Sequence, residues 1–175
     1  MTSRAARLVL AIGMLVSGGS TTAQEPTLEY RVKAAYIYNF TQYAEWPPAA
    51  LGNRPLTICV AGRDVFGHVL EDLVRGESIG GRPLTARTIL EPEPGCHVLF
   101  VPAGAALSAY MRSARTAPVL TIGETEEFFG EGGIIRFVRE GSKIRFEIDQ
   151  QAAERVGLRL SSRLLRLARV PEGRN

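Results

Sequence analysis

The strongest constraint in the chain is a trio of short, almost wholly apolar runs: LTICVAG at 56–62, CHVLFVP at 96–102 and PVLTIG at 118–123. Brief runs of aliphatic and β-branched residues without polar alternation read as strands covered on both faces, and such strands belong to parallel sheets with helical crossovers. LTICVAG is followed by Gly62-Arg63-Asp64 and then by the periodic set Val65, Phe66, Val69, Leu70 and Leu73, which predicts a helix. Asp64 is its candidate N-cap, because its carboxylate can accept from the free amides of a first turn. A loop around GESIGGRP leads to a second strand at 84–89, EPEPG separates that strand from CHVLFVP, and a helix is expected at 105–114 before PVLTIG. The order helix, β, α, β, β, α, β implies an α/β fold with a mostly parallel sheet flanked by helices.

Beyond Gly123 the pattern changes. The stretch ETEEFFGEGG is acidic and glycine-rich, and GIIRFVREGSKIRFEID then reads as a β-hairpin with strands at 134–138 and 143–148 around Glu140-Gly141-Ser142. Alternation places Ile135, Phe137, Ile144, Phe146 and Ile148 on one face and Arg136, Arg145 and Glu147 on the other. Residues 150–156 and 161–168 read as two short helices. The second has Leu164, Leu165 and Leu167 inward, Ser161 or Ser162 as its cap, and Arg159, Arg163 and Arg166 on a solvated face.

Upstream of the sheet, AAYIYNFTQYAEWPP holds five of the chain's thirteen aromatic residues. Val32, Tyr36, Phe40 and Tyr43 recur at steps of four, four and three, which predicts an amphipathic helix over 28–44 with those side chains inward and Arg31, Lys33 and Gln42 elsewhere. Thr27 or Pro26 can open it. Pro47 closes it, since the residue before a proline is pushed out of the α region, and Trp46 then pins the exit.

The first 23 residues stand apart from this pattern. Arg4 and Arg7 precede an apolar run of nine residues, Leu8 to Val16, and small residues lead to Thr21-Thr22-Ala23, the three-part pattern of a cleaved secretory signal. Nine residues are too few for a membrane core that needs roughly 20. The expectation is a signal peptide at 1–23 and one exported domain at 24–175, located in the periplasm and without stable membrane insertion. Loss of Arg4 and Arg7 lowers the formal charge from +3 to +1, so no basic field remains to attract nucleic acid.

Two cysteines, Cys59 and Cys96, would meet an oxidising compartment. They read either as a disulfide or as two buried thiols. A bridge requires the first and third strands to be neighbours, which gives the sheet order 2-1-3-4.

Little else points to chemistry. The turn CVAGRDVFG lacks GxGxxG and carries an acid where a phosphate would approach. His68 and His97 have no second ligand at metal spacing, and the sequence has no HExxH, CxxC or GxSxG. A catalytic constellation usually leaves some such trace, so the expectation is a binding protein, not an enzyme, with no metal.

Taken together, EYRVKAAYIYNFTQYAEWP, LTICVAG with Asp64 and Phe66 after it, IGGRPL, CHVLFV, VLTIGE, GGIIRFVREGSKIRFEID and GLRLSSRLLRLARV closely resemble the YfiR family, in order over about 29–170. The resemblance implies a dimeric periplasmic α/β repressor that engages the periplasmic sensor domain of a membrane diguanylate cyclase, YfiN. It would thereby lower cyclic di-GMP output and biofilm growth. An OmpA-like outer-membrane lipoprotein, YfiB, is implied as the partner that sequesters the repressor, and no cofactor is implied. The positions matching one family cystine are Cys59 and Cys96; a second known pair has no counterpart in a chain with two cysteines, which leaves any redox response to one bridge.

A repressor of this kind needs an exposed apolar patch with a polar rim that binds one state of its partner more tightly. The candidates are Tyr38 and Trp46 around the first helix, Phe128 and Phe129 in the acidic loop, and Arg136, Arg145 and Glu147 on the outer hairpin face. For Tyr38 and Trp46 the competing reading is burial against the next layer, and the adjacent Phe128 and Phe129 cannot both point the same way. The alternative function is a periplasmic small-molecule binding module feeding a sensor kinase or other receptor, with the ligand between the strand ends and the Phe128 loop.

Overall fold

The three apolar runs lie side by side at the centre of a seven-stranded sheet. The structure is a computed structural model that describes residues 26–169; the signal peptide expected at 1–23 lies outside them. The elements are α1 (Leu28–Gln42), β1 (Ala44–Glu45), α2 (Pro48–Leu51), β2 (Leu56–Ala61), α3 (Val69–Val74), β3 (Ser78–Ile79), β4 (Arg82–Ile89), β5 (Val98–Val101) and α4 (Leu107–Ala114). There follow β6 (Leu120–Gly123), a 3-10 turn (Glu126–Phe128), β7 (Ile135–Glu140), β8 (Lys143–Ile148), α5 (Gln150–Arg155), β9 (Arg159–Leu160) and α6 (Ser162–Leu167).

The sheet order is β3-β4-β2-β5-β6-β7-β8. The strands from β4 to β7 run parallel, and β3 and β8 close the two edges in antiparallel fashion. The order expected for the first four strands therefore holds, as β4-β2-β5-β6, and the hairpin β7–β8 continues the same sheet. Cys59 and Cys96 form a disulfide between β2 and the residues just before β5, with Cα atoms 5.7 Å apart.

Side-chain alternation along the central strands feeds two cores. Ile58, Val60, Val98, Phe100, Leu120 and Ile122 face α1 and α3, which contribute Ala34, Ile37, Phe40, Leu70 and Val74. Cys59, Ala61, Leu99 and Val101 face α4, which contributes Tyr110, Met111 and Ala114. None of the described helices is long and apolar enough to cross a membrane.

Several local expectations change. Thr27 caps α1 as expected, its hydroxyl accepting from Tyr30 N, but the buried face runs through Lys33, Ala34, Ile37, Phe40 and Thr41. Val32 is 37% exposed. Rotation of the helix follows from Lys33, whose charge is neutralised inside. The second helix begins only at Val69, because Gly67 adopts a left-handed φ of 53° that interrupts the turn. Asp64 instead ties the connecting loop, its carboxylate accepting from Phe66 N and Gly67 N, each at 3.0 Å. Near the C-terminus, Arg159 belongs to a strand that pairs with β1, and Leu167 points outward at 66% exposure.

Candidate functional site

The acidic loop after β6 is clamped against the hairpin by two adjacent phenylalanines whose ring centroids lie 6.4 Å apart. Phe128 is fully buried and sits in a slot between the backbones of Gly123 and Gly133, where a Cβ on either glycine would lie 2.2 Å from the ring. With Phe128 inward, Phe129 lies over the hairpin, and the Arg136 guanidinium stacks 4.9 Å from its ring centroid. Arg136 also donates to the Glu126 carbonyl at 3.2 Å and to Glu147 Oε2 at 2.6 Å.

Arg136 and Glu147 face each other across the β7–β8 register. The sequence placed both on an open outer face, yet the Glu147 side chain is 4% exposed and that of Arg136 16%. Their cover comes from the 3-10 turn and from the residues just after α6, where Arg169 N donates to the Phe146 carbonyl at 2.9 Å. A buried pair of this geometry is held because removing either member strands the other charge.

A second cluster joins this one from α1. Lys33 Nζ lies 2.5 Å from Glu29 Oε1 and 2.5 Å from Glu124 Oε1. The other Glu124 oxygen accepts from Ala103 N at 2.8 Å and from the Tyr30 hydroxyl at 3.3 Å. Lys33 Nζ also lies 4.8 Å from the centroid of the Tyr30 ring. Burial and the neighbouring Glu124 charge push the Tyr30 hydroxyl up to about 12, whereas the hydrogen bond from Lys33 holds Glu29 below the ordinary carboxylate value. Arg139 Nη1 lies 3.4 Å from Glu29 Oε2. The two clusters share a polar cleft of about 560 Å³ lined by Glu124, Glu126, Arg136, Arg139, Glu147 and Arg169, among others.

The remaining expected residues are scattered. Tyr38 is half-buried and donates to Glu77 Oε2 at 2.8 Å, across to the loop after α3. Arg145 is exposed and pairs with Glu140 at 3.3 Å. Trp46 is buried, its indole N–H donating to the His97 carbonyl at 3.2 Å. Trp46 and Phe128 therefore present no ring at the surface, and the expected aromatic patch is not assembled.

His97 belongs to the fold. Its Nδ1 accepts from Thr57 N at 3.1 Å, and burial, with Arg54 nearby, pushes the imidazole below its ordinary 6.5. Lys33, Glu124, Tyr30 and Arg139 were missed by the sequence reading. The available signal was modest: Glu124 follows a parallel strand at its carboxyl end, and Glu29 and Lys33 are spaced i, i+4.

Among the described residues no group of three His, Cys, Asp or Glu side chains is placed to hold a metal ion. Most of the charged groups of the cleft are paired with one another. The fold that carries it is matched from Tyr30 in the α1 cluster to Arg169 at the sheet edge: the YfiR/HmsC-like family model aligns with residues 30–169. The chain belongs to the YfiR/HmsC-like family. That match spans every strand of the sheet and both ion-pair clusters except Glu29. No curated protein matches the chain.

Proposed function

We propose that this YfiR/HmsC-like protein is an exported negative regulator that binds the periplasmic sensor domain of a YfiN-like membrane diguanylate cyclase and lowers cyclic di-GMP synthesis. The observation that carries the reading is the family match over nearly the whole described fold. The family is one of regulators and not of catalysts, and the reading assigns the chain no reaction. Cleavage after residue 23, residence in the periplasm, a homodimeric state, control of biofilm growth and capture by an OmpA-like lipoprotein belong to the same proposal.

The contact surface is assigned to groups that remain accessible: Tyr38 on α1, and Arg145 on β8 with Arg139 and Arg169 at the rim of the polar cleft, each of the three with an exposed guanidinium. The buried Arg136–Glu147 pair and Phe129 support that surface from beneath. A repressor shifts its receptor only by the difference in affinity between the two receptor states. Calorimetric titration of the mature protein with the isolated sensor domain tests the reading. Saturable binding that is weakened by Arg145→Glu and Tyr38→Ala is expected, and heats no larger than those of dilution would overturn it.

A further inference from the structure

Growth of the sheet reverses direction at β2. The chain leaves β2 toward β4 on one side, while β5 flanks β2 on the other. The connection after β2 runs to α3 on one face of the sheet, and the connection after β5 runs to α4 on the opposite face. In open α/β sheets this divergence leaves a crevice outside the carboxyl ends of the two strands, which is where such folds bind ligands. Here the crevice has a volume of about 360 Å³ and is lined by Arg63, Val65, Leu90, Pro102 and Ala106, with the buried Tyr110 among its walls.

We propose that this crevice binds a small carboxylate with an apolar body. Arg63 is exposed and forms no hydrogen bond or ion pair with any described residue. Its charge acts on the Tyr30 hydroxyl, and no carboxylate among the described residues pairs with it at this concave site. Several of the surrounding amides are already engaged. Gly62 N donates to the Ile89 carbonyl and the Tyr110 hydroxyl, Phe66 N and Gly67 N donate to Asp64, and Ala103 N donates to Glu124. One guanidinium beside an apolar lining suits one carboxylate. Leu90 stands at the crevice with 81% of its surface exposed, and Val65, Pro102 and Ala106 continue that apolar lining. The volume falls near the low end of small-molecule sites. The crevice is separate from the Phe128 loop, and this assignment does not depend on the cyclase partner.

The test is a set of amide-resolved NMR titrations of the mature protein with phenylacetate, 4-methylpentanoate, phenylacetamide and phenyl phosphate at millimolar concentrations. Both carboxylates are expected to shift Gly62, Gly104 and Ala106 saturably, and phenylacetamide is expected to bind about tenfold more weakly or not at all. Arg63→Gln should weaken phenylacetate about tenfold. Leu90→Asp, at a position exposed enough to leave the fold intact, should weaken it through charge repulsion. The proposal is overturned if no probe shifts these amides, if Arg63→Gln binds phenylacetate like the wild type, or if phenyl phosphate or phenylacetamide binds as well as the carboxylates. A second groove of about 580 Å³ is lined by Cys96, Ala114 and Val119, and shifts confined to it would also overturn the proposal.

Discussion

Gly123→Ala should displace a ring that sets the shape of the loop over the hairpin. Neither Gly123 nor Gly133 has a positive φ, so alanine costs little in backbone terms at either position. The cost is steric. A Cβ on Gly123 would lie 2.2, 2.4 and 2.6 Å from three carbons of the Phe128 ring, and one on Gly133 would lie 2.2, 2.3 and 2.7 Å from carbons of the same ring. Pinched between two backbones, the ring cannot slide away from the new methyl without meeting the other glycine. Overpacking of this sort costs about 1–3 kcal/mol, and loss of a buried phenylalanine's transfer free energy sets a similar upper figure of about 3 kcal/mol. The expected destabilisation of about 2–3 kcal/mol corresponds to a melting temperature lower by roughly 4–12 °C for a domain of this size. Urea unfolding followed by the fluorescence of Trp46, the one tryptophan in the chain, measures the change. Phe128→Ala alone should cost about 3–5 kcal/mol, but in that background Gly123→Ala should become nearly silent, a coupling of about 2 kcal/mol. A Gly123→Ala protein within about 0.5 kcal/mol of the wild type, or strictly additive costs in the double variant, would refute the slot.

Lys33→Met should cost about 3–5 kcal/mol in urea unfolding because it leaves Glu124 buried without its cation, and Lys33→Met/Glu124→Gln should recover more than half of that loss. His97 is held neutral in the fold, so the unfolded chain takes up its proton first. Unfolding free energy should therefore be flat above the ordinary 6.5 and should fall as pH drops from there through the lower folded value. His97→Gln should flatten that slope. The Cys59–Cys96 bridge closes a loop with a sequence separation of 37, worth about 4 kcal/mol in the chain-entropy treatment. Cys59→Ser should thus lower stability relative to the oxidised wild type and match the reduced wild type, and equal melting of the wild type with and without reductant would contradict this.

The sheet was legible because its information is local. LTICVAG, CHVLFV and VLTIG are apolar on both faces, and the cysteine pair added the one long-range constraint needed to set β2 beside β5. The misread positions depend on neighbours distant in sequence. A wheel drawn for α1 puts Lys33 outside, but Glu124, 91 residues away, supplies the charge that lets it turn inward. Trp46 could be read as a partner anchor or as buried against the next layer, and its indole N–H, which finds the His97 carbonyl 51 residues on, decides for burial. Alternation along the hairpin correctly set Arg136 and Glu147 apart from Phe137 and Phe146. It could not show that the loop bearing Phe129 folds back as a lid over the pair. Gly67 held a local clue, since a glycine within an otherwise helical pattern often marks a left-handed break.

What remains is whether binding of this chain changes a receptor's output. Cyclic di-GMP synthesis by a YfiN-like cyclase in inverted membrane vesicles, with or without the mature protein sealed on the periplasmic side, measures that change. A several-fold fall in synthesis that is lost with Arg145→Glu is expected of a repressor that favours one receptor state. Synthesis unchanged at saturating protein would contradict the regulatory reading.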